Sequence, residues 1–69
     1  MKSITYQAGP KFVTVSAAYK RTGAPLDLSE FQSFCVHEYS ADRAQEDINA
    51  LLALISGRYP ECTVSAHWH

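Results

Sequence analysis

The residues best suited to chemistry stand near the end of the chain, where the sequence reads CTVSAHWH. His67 and His69 are two residues apart, so on a β-strand their imidazoles share one face about 7 Å apart, as some metal sites require. A metal site needs a third and usually a fourth ligand, and the only other histidine is His37. His37 would approach His67 only if residues 31–39 and 62–69 formed neighbouring strands. Because no carboxylate or cysteine is placed with these histidines, we expect a solvated strand end with no metal and no cofactor.

A second candidate group is Cys35 with His37, two positions apart in the segment SFCVHE. On a strand the two side chains would share a face, which is typical of a thiol beside a base. An activated cysteine also needs an orienting group, an oxyanion donor and a cleft, and 69 residues leave little room for a substrate pocket. The chain contains no Gly-rich phosphate loop, no His-Glu-x-x-His and no serine nucleophile elbow. We therefore expect no enzyme and no catalytic residues.

The composition is that of a small folded domain, with 46% hydrophobic and 19% charged residues, three glycines and three prolines. Neither a membrane-spanning apolar run nor the apolar segment of a signal peptide is visible. We expect one domain over residues 1–69, located in the cytoplasm and without membrane contact. In that reducing compartment Cys35 and Cys62 are expected to be small buried hydrophobes. They could form a disulfide only if their strands paired in an oxidising environment.

The charges are unevenly placed around a net charge of −1. Residues 1–21 carry four bases and no acid, whereas residues 22–61 carry all seven acids. Four scattered lysine and arginine residues do not form a continuous basic surface that could follow a phosphate backbone, so direct nucleic-acid binding is not expected to be the main activity. The alternative that stays open is a single-stranded nucleic-acid binder, in which aromatic side chains of an uncovered sheet face stack on bases.

Alternation of apolar and β-branched residues predicts the strands. Lys11–Tyr19 shows the clearest period of two, and residues 3–6 form a short first strand that Gly9-Pro10 closes. Residues 31–39 (FQSFCVHEY) are predicted to form a second long strand, and Cys62–Trp68 the last one.

One helix is predicted over residues 41–56. Ser40 is suited to the N-cap, and acidic residues follow it in the first two turns, where the helix dipole favours them. Gly57 is suited to the left-handed position after the helix, and Pro60 prevents its continuation.

These elements predict an α+β fold, in which a single helix packs on one face of a three- to four-stranded antiparallel or mixed sheet in the order ββ(β)αβ. The last strand is expected to pair in parallel or to lie at an edge. Exposed edges and an incompletely covered face favour a homodimer. The expected core comprises Val13, Val15, Phe34, Val36, Ile48, Leu51, Leu52, Ile55, Val64 and Trp68.

Two surfaces are candidates for binding another protein. The first is a small apolar patch with a polar border on the outer side of the helix, and the second is the uncovered side of the sheet. The expected contact residues are Glu46, Asn49, Ala50, Ala53 and Leu54 on the helix, and His37, Tyr39 and His67 on the sheet side.

In its size, its one-domain architecture and its order of hairpin, S-A-D-R-A-Q-E helix and strand, the whole chain resembles the small inhibitors encoded by phages and mobile elements. These include anti-CRISPR proteins and host-polymerase inhibitors. The resemblance implies a protein that covers a working surface of a larger host protein or nucleoprotein complex stoichiometrically, in the host cytoplasm. It is architectural and assigns no functional residues.

Overall fold

A computed structural model describes residues 1–69. Strand β1 spans Ser3–Ala8 and β2 spans Lys11–Tyr19; a 3-10 turn follows at Ser29–Phe31, then helix α1 at Ala41–Arg58 and strand β3 at Cys62–Trp68. The strands form one antiparallel sheet in the order β1-β2-β3, and α1 packs on one of its faces. The predicted α+β fold is therefore confirmed, with the last strand at an edge. The helix is not long and apolar enough to span a bilayer.

A two-residue turn joins β1 to β2. Ala8 pairs with Lys11, and Gly9 between them has a φ of 64°, a left-handed conformation that glycine adopts at little cost. Glycine at the first central position is typical of the hairpin turns that match the twist of antiparallel strands. The amide of Gly9 donates to the carbonyl oxygen of Glu38 at 2.8 Å, so the hairpin is attached to the segment that leads into α1.

The predicted strand over residues 31–39 is wrong. Residues 24–28 fold back beside the end of β2 instead, with the amide of Tyr19 donating to Ala24 and that of Leu26 to Ala17, both at 2.9 Å. The amide of Leu28 then donates to Met1 at 2.8 Å, so this returning segment lies in line with β1. Since β2 is thereby paired along both of its sides, residues 32–40 follow an irregular path across the covered face.

Helix α1 begins as predicted and ends later than predicted. The Ser40 hydroxyl accepts from the amide of Arg43 at 3.4 Å, which confirms the N-cap. Gly57 lies inside the helix with a negative φ and is not the left-handed residue after it. The last turn continues because Arg58 Nε contacts a Glu30 carboxylate oxygen at 3.0 Å, and the Tyr59 hydroxyl donates to the same carboxylate.

The core lies between the sheet, α1 and the segment that precedes the helix. Half of the predicted core is fully buried, namely Val13, Val15, Ile48, Leu51 and Ile55. The other half packs against it while partly exposed, namely Phe34, Val36, Leu52, Val64 and Trp68. The pattern did not predict the burial of Leu26, Leu28 and Phe31, which become core residues because the returning segment and the 3-10 turn cover one end of the sheet.

Candidate binding surface

The side of the sheet opposite α1 is uncovered and has no charged side chain. We call it the open face; its residues are Ser3, Thr5, Gln7, Phe12, Thr14, Ser16, Ala18, Thr63, Ser65, His67 and His69. Hydroxyl groups on adjacent strands form hydrogen bonds, between Thr5 and Thr14 with the oxygens 3.0 Å apart and between Ser16 and Ser65 with the oxygens 3.5 Å apart. The basic side chains of the chain therefore lie elsewhere, on the covered side, in the turns and on the helix.

His67 and His69 lie side by side on the open face. Their ring centroids are 5.7 Å apart, and their planes differ by 19°. His69 is held firmly: its backbone exchanges two hydrogen bonds with Phe12, both 2.8 Å, and its Nε2 lies 2.9 Å from Thr14 Oγ1. The strand end is exposed, as expected, but it is also ordered by these contacts.

His37 does not approach this pair, because it lies in the irregular segment and not on a neighbouring strand. Its amide donates to Asp47 Oδ2 at 2.8 Å, which ties the segment to the second turn of α1. No group of three or more His, Cys, Asp or Glu side chains that could hold a metal occurs within the chain.

Exposed aromatic side chains are concentrated around the Gly9-Pro10 turn. We call this part of the molecule the aromatic end; its residues are Phe12, Tyr39 and His69, which are exposed, and Trp68, which is half-buried on the covered side of the sheet. Tyr39 is 82% exposed and Phe12 46% exposed. The rings of Phe12 and His69 stack at 6.3 Å between centroids, and Tyr39 meets the ring of His37 edge to face at the same separation.

The aromatic end is assembled from three separate parts of the chain. In the register of β2 with β3, Val13 pairs with Trp68, and Phe12 lies beside His69. The hydrogen bond from the amide of Gly9 to the carbonyl oxygen of Glu38 brings Tyr39 to the same end of the molecule. The hydrogen bond to Glu38 and the charge of its carboxylate raise the pKa of the Tyr39 hydroxyl above its ordinary value.

A shallow pocket of about 300 Å³ adjoins the aromatic end. It is lined by Lys11, Ala41, Asp42, Gln45 and Trp68, from the start of β2, the first turn of α1 and the end of β3. Lys11 and Asp42 give its rim both signs of charge. The sequence contains no local signal for this pocket, because its walls meet only through the tertiary packing.

The helix residues expected to bind a partner, Glu46, Asn49, Ala50, Ala53 and Leu54, are all exposed. Leu54 is the only large apolar side chain among them, at 46% exposure. His37, Tyr39 and His67, which were expected to share one surface, are divided: Tyr39 and half-buried His37 flank the hairpin turn, and His67 lies on the open face.

The two cysteines are free and far from equivalent. Cys62 is buried, as expected, and burial raises the pKa of its thiol. Cys35 is exposed and not buried, because the segment that carries it is not a strand. Its sulfur lies 3.6 Å from the carbonyl oxygen of Ser33.

No protein-family model, no curated protein and no solved structure matches this chain. Function is therefore inferred from three surfaces of the structure, which are the aromatic end, the open face and the outer side of α1.

Proposed function

We propose that this protein is a non-enzymatic protein-binding module that inhibits a larger protein or nucleoprotein complex by stoichiometric binding. The observation that carries this proposal is the concentration of exposed aromatic side chains at the aromatic end. Tyrosine, tryptophan and other aromatic side chains dominate the binding energy of protein interfaces when they cluster at the centre of a patch.

The surroundings of the aromatic end also suit a protein partner. The pocket beside Trp68 offers a concave site, and Lys11, Asp42 and Gln45 supply a polar rim with both signs of charge. Interfaces commonly combine an apolar centre with such a rim. The outer side of α1, by comparison, presents only Leu54 as a large apolar group, so we assign it a secondary role.

The aromatic end is organised before any partner arrives. The hydrogen bonds of Gly9 with Glu38 and of Phe12 with His69 fix the backbone beneath the exposed rings. A surface that is already ordered loses less conformational entropy on binding, and its affinity is correspondingly higher.

The test is affinity capture of the tagged protein from a lysate of its native host, with nuclease treatment and mass spectrometry. Tyr39→Ala and Phe12→Ala should each lower recovery of a stoichiometric partner complex, whereas the matched control Leu54→Ala should retain it. Each exposed side chain can be removed with little loss of stability, which circular dichroism would verify. Equal recovery with all three variants would contradict the proposal.

The second candidate function is binding of single-stranded nucleic acid to the open face. It is favoured by the continuous row of rings formed by Phe12, His69 and His67, on which bases could stack. The open face has no charged side chain, which argues against this function, because affinity for nucleic acid depends mainly on contacts of lysine and arginine side chains with phosphates. Loss of every partner on nuclease treatment, with steep weakening of binding in salt, would favour this candidate over the first.

A further inference from the structure

We propose that His67 and His69 form half of a site for a divalent transition metal of the zinc class, which a second copy of the chain completes. The two imidazoles project from one face with centroids 5.7 Å apart and nearly parallel planes. Two zinc–nitrogen bonds of about 2.1 Å at a tetrahedral angle need nitrogens roughly 3.4 Å apart. Because the rings lie nearly parallel, both side chains must rotate to bring one nitrogen of each towards a common point.

The hydrogen bonds behind His69 match those of a metal ligand. Its Nε2 contacts Thr14 Oγ1 at 2.9 Å, and Thr14 Oγ1 contacts Thr5 Oγ1 at 3.0 Å. When the Thr14 hydroxyl donates its hydrogen bond to Thr5 Oγ1, it accepts one from the Nε2–H of His69. In that tautomer Nδ1 of His69 keeps a free lone pair. Histidine ligands of metals commonly donate their second ring N–H to an acceptor in this way, which fixes the orientation of the ring.

A zinc ion bound by His67 and His69 needs further ligands, and we infer that a second copy of the chain supplies them. Tetrahedral zinc takes four ligands, and one chain supplies two histidines with no third ligand in its neighbourhood. Two-fold symmetry brings the same side chains of two copies together, so two identical pairs supply four imidazoles. The open face has no charged side chain, so edge pairing of two copies sets no charged side chains of this face beside each other.

The free edge of β3 provides the route for this approach. His69 exchanges its backbone hydrogen bonds with Phe12, so the alternating residues Ala66 and Trp68 direct their amides and carbonyls away from the sheet. The strand CTVSAHW contains no charge and no proline, which are the usual devices that block pairing at an edge.

Antiparallel pairing of two β3 strands about an axis at Trp68 places His67 of each copy opposite His69 of the other. Backbone pairing in this register is confined to residues 67–69 of each copy, so the shared zinc supplies the main link between them. Directly opposite residues lie about 5 Å apart and His67 and His69 about 7 Å apart along the strand, so four imidazoles occupy one small area. This inference does not rest on the proposed function, although the pairing occupies Trp68 and His69 of the aromatic end and leaves Tyr39 and the outer side of α1 free.

The test is sedimentation velocity with added zinc chloride, together with calorimetric titration. The homodimer that the exposed edges favour is, on this inference, zinc-dependent: the wild-type chain should sediment as a 7.7 kDa monomer without zinc and at twice that mass with it, binding one zinc per two chains. A chelator should reverse the change. His67→Ala and His69→Ala should remain monomeric and bind zinc at least ten-fold more weakly, while the matched control His37→Ala should behave as the wild type.

Several results would overturn the inference. They are a monomer at saturating zinc, one zinc per chain with no change of mass, and loss of zinc binding in His37→Ala. Thr14→Val provides a further check, because removal of an outer hydrogen-bond partner should weaken zinc binding about 10- to 100-fold without changing its stoichiometry. Unchanged affinity in both His67→Ala and His69→Ala would equally rule the site out.

Discussion

Replacement of glycines by alanine should give stability changes of opposite sign at different positions. Gly57 lies inside α1 with a negative φ, and a Cβ added there meets no atom within 4 Å. Glycine in a helix is less favourable than alanine by roughly 0.5–1 kcal/mol, so Gly57→Ala should raise the free energy of unfolding by about that amount. The sequence pattern, which set Gly57 in a left-handed position after the helix, predicts a loss instead.

Gly9 and Gly23 are the matched controls. Their φ values are 64° and 75°, and alanine in this left-handed region costs about 1–2 kcal/mol. A Cβ on Gly9 would lie 3.4 Å from the amide nitrogen of Ala41, an ordinary contact, and one on Gly23 would meet nothing. The loss at both positions should therefore come from the backbone conformation and be similar in size.

Urea denaturation and thermal melting measure these differences. For a domain of this size, 1 kcal/mol moves the melting temperature by about 4–8 °C. Gly57→Ala should melt above the wild type, and Gly9→Ala and Gly23→Ala below it. A melting temperature of Gly57→Ala below that of the wild type would refute the assignment of Gly57 to the helix interior.

Three further changes test the core and the pH dependence. Leu51→Ala removes a fully buried side chain and should cost about 2–5 kcal/mol, seen as a lower urea midpoint; an unchanged midpoint would show that the helix face is wrongly assigned. Tyr6→Phe removes a buried hydroxyl that has no hydrogen-bond partner, so it should leave stability unchanged or raise it by about 1 kcal/mol in the same assay. Hydrogen bonds from the hydroxyl of Ser29 and from the amino group of Met1 lower the pKa of Asp27 to about 2. Because the folded-state pKa lies below the unfolded value of about 3.9, this stabilisation is present above pH 4 and is lost as the pH falls towards 2. Asp27→Asn should reduce this loss in acid titrations followed by circular dichroism, and an identical acid transition in the two proteins would contradict it.

The elements that could be predicted are those whose pattern is local. Lys11–Tyr19 alternates strictly because one face of β2 packs on the core, and α1 shows its N-cap and its apolar stripe within its own residues. Residues 31–39 were misassigned because apolar residues spaced along a chain can be buried by an irregular segment as well as by a strand. The end of α1 was misplaced because Glu30, far away in the sequence, holds its last turn.

The same distinction applies to the candidate site. Alternation along β3 was enough to predict that His67 and His69 share an uncovered face. The aromatic end could not be predicted, because it depends on the bond between Gly9 and Glu38 and on the pairing of Phe12 with His69, which join distant parts of the chain. The exposure of Tyr39 follows from the irregular segment and not from any pattern around the residue.

The most direct test of the proposal that the aromatic end binds the partner is site-specific photo-crosslinking in the native lysate. The photoreactive amino acid benzoylphenylalanine would replace Tyr39 in one variant and Leu54 in another; both side chains are exposed. After irradiation and nuclease treatment, the variant at position 39 should give a discrete adduct with one protein, and the variant at position 54 should give little or none. An adduct at position 54 alone, or none at either position while the partner is still captured, would contradict the proposal.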